Sequence, residues 1–226
     1  MNELVALIPM RHGSERVVGK NWRELGGRPL WEHVLTTMLD VPVIDLVVVD
    51  TDSPIVADGI RAAYPQVILL DRPEHLRAGE VPMTDVIAHD ATQVLSRHYL
   101  QTHSTNPLLT AGTVADAVTR YLDAVASDMA DSLFTVTQLQ TRLYDATGAA
   151  MNHDPAVLLR TQDLPPVYEE NSNLYLFSAA LAHDRRRIGD RPMMHIVDPL
   201  EAVDIDDETD LVLAEALLQH LRGTDV

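Results

Sequence analysis

Residues 3–9 read ELVALIP, and residues 9–21, which run on from them, read PMRHGSERVVGKN. The first stretch is a continuous apolar run of strand length ending at a proline, the pattern of a strand buried on both faces of a parallel sheet. The second combines two glycines, a serine and three basic residues, so a buried strand feeds directly into a loop suited to anions. Working outward, residues 45–50 (DLVVVD) repeat the strand pattern, with shorter candidates at 67–70, 98–101, 132–137, 173–177 and 195–197. Helical periods fall between them at 29–39, 54–63, 84–97, 113–126, 179–187 and 207–221. Pro29 suits a first helical turn, and Thr113 with Asp116 has the spacing of a capping box. This alternation predicts a three-layer α/β domain with a largely parallel sheet, whose site lies in the loops at the strand C-termini. Residues 140–170, rich in Pro, Asp and Asn, interrupt the alternation as an inserted arm.

The 226 residues include 46% hydrophobic residues and no cysteine. That is enough apolar material for one domain over 1–226 with a substantial core, and it excludes disulfide scaffolds, thiolate zinc sites and thiol enzymes. A cytoplasmic location is expected. The N-terminal run carries Glu3 where a signal peptide has basic residues, so no signal peptide is expected, and no apolar run reaches membrane-spanning length. A net charge of −17 opposes binding to nucleic acid or an anionic bilayer, both of which need a basic face. The exception is local: residues 1–30 carry a balance of +2 against −19 for the remainder, and Lys20 is the sole lysine beside 16 arginines. Lysine offers a compact point charge for phosphate oxygens, which a planar guanidinium does not reproduce.

Two familiar phosphate motifs are excluded. A Walker loop needs four residues before its Gly-Lys pair and then Ser or Thr, whereas five separate Gly13 from Gly19 and Asn21 follows Lys20. The G-x-G-x-x-G dinucleotide fingerprint occurs nowhere in the chain, which removes the main support for a redox role. The ten histidines show no paired zinc-ligand spacing.

The loop instead resembles the R-x-G-S-x-R-x-x-x-K-N signature of the CMP-sialate synthetases (acylneuraminate cytidylyltransferases), which activate acidic keto-sugars. Further stretches in the same order are similar to that family's motifs: Asp50-Thr51-Asp52, Arg72-Pro73, Thr84-Asp85-Val86-Ile87, Thr105-Asn106-Pro107-Leu108, and Val203-Asp204-Ile205-Asp206 with Thr209-Asp210-Leu211. The chain departs from the pattern at Glu15, Val18 and Leu109, where the family commonly has lysine, proline and arginine. Ser172 stands where it has a glycine before the strand containing Tyr175.

The resemblance implies a three-layer α/β/α, Rossmann-like nucleotidyltransferase fold with a mostly parallel mixed sheet. The implied reaction is attack by the anomeric hydroxyl of a nonulosonate on the α-phosphorus of CTP, with release of pyrophosphate. Arg11, Gly13, Ser14, Lys20, Asn21, Arg72 and Thr84 are then expected to bind the nucleotide, with Arg11, Lys20 and Asp204 closest to the chemistry. Gln101, Thr105, Arg160, Gln162 and Tyr175 are expected at the acidic sugar. Asp204 and Asp206, two residues apart in an extended segment, would share Mg²⁺ with the substrate phosphates. Asp206, Asp207 and Glu208 would equally suit a helix start. A homodimer is implied, with the 140–170 arm as its contact. Alternatives remain: a nucleotidyltransferase of this architecture using another base or a sugar phosphate, or a nucleotide-binding homologue without activity. Arg185, Arg186 and Arg187 read either as a phosphate patch or as a solvated helix end.

Overall fold

The structure, a computed structural model, describes residues 1–13 and 17–224, with side chains described as far as Leu221. Strand β1 (Asn2–Met10) is central, and Leu4, Val5, Ala6, Leu7 and Ile8 are wholly buried. A short hairpin, β2 (Glu24–Leu25) and β3 (Arg28–Pro29), precedes α1 (Leu30–Leu39). Then come β4 (Leu46–Thr51), α2 (Pro54–Ala63), β5 (Ile68–Asp71), α3 (Met83–Gln93), β6 (Ser96–Thr102) and α4 (Ala111–Ala126). The chain closes with β7 (Ser132–Leu139), β8 (Val167–Ser178), α5 (Ala179–His183), β9 (Pro192–Ile196) and α6 (Glu208–Thr224).

Seven strands form one mixed sheet in the order β5-β4-β1-β6-β8-β7-β9. The β5, β4, β1 and β6 pairings are parallel, as is β7 with β9, whereas β8 runs antiparallel to both β6 and β7. Alternation along β1 sorts the two faces, as the two-residue period of a strand requires. Leu4, Ala6, Ile8 and Met10 pack with α1, α2 and α4, while Val5 and Leu7 pack with α3 and α5. This is the α/β/α architecture expected from the alternation. Helix α6 caps the hairpin through Leu25, Ile205, Leu211 and Ala214. No helix among the described residues is long and apolar enough to cross a membrane.

Local details correct several boundaries. Pro29 belongs to β3 and precedes α1 in extended conformation instead of filling its first turn. The α4 cap is Thr110, whose hydroxyl accepts from Thr113 N, so Thr113 is a capped donor and not the capping residue. Helix α3 stops at Gln93, and Ser96 and Arg97 already belong to β6. Helix α5 stops at His183, because the chain turns through Arg185 at φ 57°. Between β7 and β8 the arm carries one β-bridge, Tyr144 to Ala150, and a short 3₁₀ turn, Thr161–Asp163.

Candidate active site

Strand β1 is flanked by β4, its successor in the sheet, on one side and by β6 on the other. The connection leaving β1 leads to β4 on one side and that leaving β6 leads through α4 to β7 on the other, and the crevice beyond the strand C-termini at such a switch point is where α/β sheets bind ligands. A cavity of about 440 Å³ occupies this place, walled by Arg11, Gly13, Lys20, Asn21 and Arg72, with His103, Ser104 and Thr105 from the end of β6. Six of the residues expected at the site thus line a single cavity. Thr84 does not, although its α3 neighbours Met83 and Val86 do. Ser14, with Glu15 and Arg16, lies outside the described residues.

The loop is held by its neighbours. Asp52 accepts from His12 N at 2.6 Å, and the His12 ring stacks on Trp22 with centroids 4.7 Å apart. Asn21 is buried and donates from Nδ2 to Arg11 O at 2.9 Å, while its Oδ1 accepts from Ser104 Oγ at 2.7 Å. Asn21 therefore joins the β1 and β6 loops across the cavity floor. Gly19 makes the turn into Lys20 at φ 69°, and a Cβ there would lie 2.6 Å from the Trp22 ring, so only glycine fits.

Lys20 points to the C-terminal acidic segment. Its Nζ donates to Ile205 O at 2.6 Å and lies 3.4 Å from Asp206 Oδ1, with 13% of the lysine side chain exposed. Ile205 N in turn donates to Thr105 O at 2.9 Å, and Asn106 Nδ2 to Val203 O at 3.3 Å, so this segment is tied to the β6 loop. Asp204 is largely buried beneath it. Burial, reinforced by Asp206, raises its carboxyl above the usual range against a hydrogen bond from Thr105, and its Oδ1 is buried with no hydrogen-bond partner. The start of α6 is served by other acids: Asp207 Oδ1 accepts from Thr209 N and Asp210 N, and Asp210 Oδ2 accepts from Asp206 N and Asp207 N. Asp207 and Asp210 cap α6, and the Asp204 and Asp206 carboxylates do not. Hard oxygen donors, one with an unmatched buried lone pair, fit a divalent cation completed by phosphate oxygens and water.

Arg72 lies on the cavity wall, yet it is buried and its Nε donates to Asp50. Beside this pair sits Asp90, from α3, which is also buried. Burial pushes both carboxyls up, Asp90 to about 9, while Arg72 pulls Asp50 back. Asp50 Oδ2 and both Asp90 oxygens lack a partner. Since ionised carboxylates only accept, a proton on Asp90 lets the pair satisfy itself, and Asp50 stays ionised against Arg72. Sequence reasoning missed Asp90. The signal was an acid on the same helical face as Val86, Ile87 and Ala91.

The expected sugar residues divide. Gln101 and Tyr175 are buried neighbours in the β6–β8 register, and both touch Arg187, whose Nη1 donates to Gln101 Oε1 at 2.7 Å while its guanidinium lies 3.8 Å over the Tyr175 ring. Thr105 is on the cavity wall. Arg160 sits on the arm, 72% exposed and forked onto Asp163 at 2.7 and 3.0 Å, and the Gln162 carbonyl accepts from Gln140 at 3.1 Å. Neither reaches this chain's cavity. His103, on the wall, is pushed down to about 4 by burial and then by Arg187 and Lys20, and is neutral at pH 7. Leu109 is buried in the core with α1 and α4 and cannot face a ligand. Ser172 adopts φ 59°, so it keeps the left-handed turn at which the resembled family has glycine.

A cavity at the switch point, lined by a basic glycine-containing loop whose lysine reaches the acidic C-terminal segment, is the arrangement of a nucleotidyltransferase-type α/β enzyme. The cytidylyltransferase sequence pattern matches residues 5–222, and the chain belongs to that family. It is 26% identical over 233 residues to the CMP-N,N'-diacetyllegionaminic acid synthase of Legionella pneumophila, covering 96% of both chains. It is also 26% identical to the N-acylneuraminate cytidylyltransferase A of Danio rerio, covering 93% of this chain and 49% of that one. The 3-deoxy-manno-octulosonate cytidylyltransferase of Chlorobium phaeobacteroides is 28% identical over 143 residues, 63% of this chain and 55% of that one. Among solved structures, a CMP:2-keto-3-deoxy-manno-octonic acid synthetase complexed with CTP superposes with a TM-score of 0.71 at 17% identity, over 96% of this chain and 99% of that one. A 4-diphosphocytidyl-2C-methyl-D-erythritol synthase gives 0.70 at 19% identity, over 96% and 100%. At these identities the structural likeness carries the fold alone.

Proposed function

We propose that the protein transfers CMP from CTP to the anomeric hydroxyl of a nonulosonate, a sialic-acid-like keto-sugar acid, and releases pyrophosphate. The observation that carries this reading is the single lysine of the chain, largely buried on the cavity wall with its ammonium 3.4 Å from Asp206. Phosphoryl-type displacements depend mainly on alignment and on positive charge placed where negative charge develops, and they need no protein nucleophile.

In this reading Arg11 and Lys20 grip the triphosphate, the loop backbone around Gly13 approaches it closely, and Asn21 holds the loop edges in register. Asp204 and Asp206 would hold Mg²⁺ together with the nucleotide phosphates, and the ion there would neutralise charge on them. Lys20 leaves the Ile205 carbonyl for phosphate oxygens, which are stronger acceptors than a neutral carbonyl. Arg72, fixed by Asp50, closes the wall of the nucleotide cavity. The full-length similarity to a CMP-N,N'-diacetyllegionaminic acid synthase supports the acidic acceptor, as does the cation of Arg187 at Gln101 and Tyr175.

A homodimer through the arm belongs to the same proposal. The arm exposes Val157, Leu158 and Leu159, and Leu158 is 88% exposed. Sedimentation of the parent and of Leu158→Asp tests it, with conversion to monomer expected. A cytoplasmic site of action fits a cysteine-free chain acting on CTP.

The reaction is tested by incubating the protein with CTP, GTP, UTP or ATP and Mg²⁺, together with N-acetylneuraminate, N,N'-diacetyllegionaminate or 3-deoxy-manno-octulosonate, and measuring pyrophosphate. Release with CTP and a nine-carbon acid is expected. Release with another nucleotide, or only with a sugar phosphate added in place of the acid, overturns the assignment.

A further inference from the structure

We propose that Arg187 receives the carboxylate of the acceptor acid, and that Gln101 and Tyr175 are positioning residues that act through it. This rests on the cytidylyltransferase reading above and names the specificity residue of that site.

The three consecutive arginines behave differently. Arg185 pairs with Asp85 at 3.3 Å and Arg186 with Asp190 at 2.6 Å, both outward-facing contacts with the arginines well exposed. Arg187 turns inward. Among the described residues it has no carboxylate within ion-pairing distance, although the chain carries 34 acidic residues. Its setting is rigid. Gln101 is fully buried and its Nε2 donates to Thr102 O at 3.0 Å, so the amide cannot turn, and Oε1 is held as acceptor for Arg187 Nη1. Tyr175 is 1% exposed, and its hydroxyl donates to Glu170 and lies 3.4 Å from Ser172 Oγ, which fixes the ring under the guanidinium.

Gln101 is buried with its amide held at both ends, and the face of the Tyr175 ring is covered by Arg187. What this pair presents outward is the guanidinium itself. One of its five N–H groups is committed to Gln101, and Nε and Nη2 donate to no described residue. These two atoms form the edge that matches a carboxylate bidentately. Stacking sets the plane of the fork, and the Gln101 bond sets its rotation. A pre-set fork loses little side-chain freedom when it binds, which favours a planar anion over a spherical one.

The position is also right. His103 lies on the cavity wall, and the charges of both Arg187 and Lys20 act on it. Gln101, which holds Arg187, lies near the end of β6 two residues before His103, so Arg187 sits on the β8 side of the residues that wall the cavity. An acceptor held by its carboxylate at Arg187 would reach back toward the phosphate cavity with its anomeric carbon, the atom next to that carboxylate.

The test uses the full chain, its Arg187→Gln and Arg187→Lys variants, and N,N'-diacetyllegionaminate, N-acetylneuraminate and their C1 methyl esters as acceptors. Acceptor KM is read from pyrophosphate release, and the Kd of CTP from calorimetry. R187Q is expected to raise KM for the acids by about ten-fold or more, as loss of a charged hydrogen-bond pair implies, with the Kd of CTP unchanged within about two-fold. R187K should recover part of the loss, because a point charge replaces a fork. The parent should strongly prefer acid to ester, and R187Q should lose that preference. Unchanged KM for the acids, an unchanged acid-to-ester ratio, or a parallel loss of CTP affinity overturns the role of Arg187. Those results leave cytidylyl transfer by the parent standing, whereas a parent that binds CTP but turns over no acid overturns the acceptor class and this role together.

Discussion

The two ends of the β1–β6–β8 platform handle charge in opposite ways. At the β1 end, Lys20 is mobile in chemistry if not in place: its ammonium rests on the Ile205 carbonyl and near Asp206, partners that phosphate can displace. At the β8 end, Arg187 is clamped by a glutamine and a tyrosine that no ligand need displace. The difference teaches what each substrate asks of the protein. Under the proposed reading, a flexible polyphosphate with many equivalent oxygens would be met by a point charge on a loop, and a single planar carboxylate by an oriented fork on a strand platform.

The largest effect should come from breaking the first end. Lys20→Ala removes a charge aimed at the developing negative charge and is expected to cut turnover about 100- to 1,000-fold, roughly 2–4 kcal/mol, while the thermal melt moves little. Pyrophosphate release within a few-fold of the parent would make Lys20 a structural residue only. Asp204→Asn comes next: the Mg²⁺ concentration for half-maximal rate should rise by about ten-fold or more, since a neutral amide replaces a hard anionic donor. An unchanged Mg²⁺ titration would remove Asp204 from the metal. Gly19→Ala tests whether the loop needs its turn. Left-handed backbone costs about 1–2 kcal/mol for a residue with a Cβ, and the Trp22 ring must also shift, so both the melt and CTP affinity should fall.

A smaller effect sharpens the contrast from beneath the cavity. Folded Asp90 holds its proton up to about pH 9, whereas the unfolded chain releases it near pH 4. The folded state therefore binds more protons in that window, and this group's contribution to stability is complete below about pH 4 and is lost as pH rises toward 9. Asp90→Asn keeps the shape without the titration. Denaturant melts at pH 5 and pH 8 should show the parent losing stability with pH by on the order of 1 kcal/mol per unit more than the variant does. Parallel pH profiles would mean that Asp90 is ionised in the folded protein. Least of all, Ser172→Gly should change stability by under about 0.5 kcal/mol, because relief of left-handed strain is offset by the greater freedom of glycine in the unfolded chain. A loss of several kcal/mol would show that the Ser172 hydroxyl matters to Tyr175.

The central strands were legible because burial on both faces leaves a local mark: ELVALIP and DLVVVD are apolar without interruption, and the observed β1 and β4 contain or closely overlap them. Boundaries were less so. The pattern at 84–97 continued past Gln93 because Val94 and Arg97 fit a helix period as well as a strand's first residues. The cavity wall built by the first loop was readable from the loop's own composition, and Arg11, Gly13, Lys20 and Asn21 all meet there.

Residues separated by long stretches were another matter. That Asp207 and Asp210 cap α6, leaving the Asp204 and Asp206 side chains out of that role, depends on which backbone N–H groups come within reach. That Arg160 pairs on the arm while Arg187 turns inward depends on the antiparallel placement of β8 beside β6. The sequence by itself determined the α/β alternation, the basic glycine-containing loop and the acidic C-terminal segment, since each is a property of neighbouring residues and their periodicity. Only the tertiary structure decided which of many arginines and aspartates meet, because hydrogen bonding and charge act over a few ångströms in space, and the strand order that creates those distances is set by packing of the whole sheet.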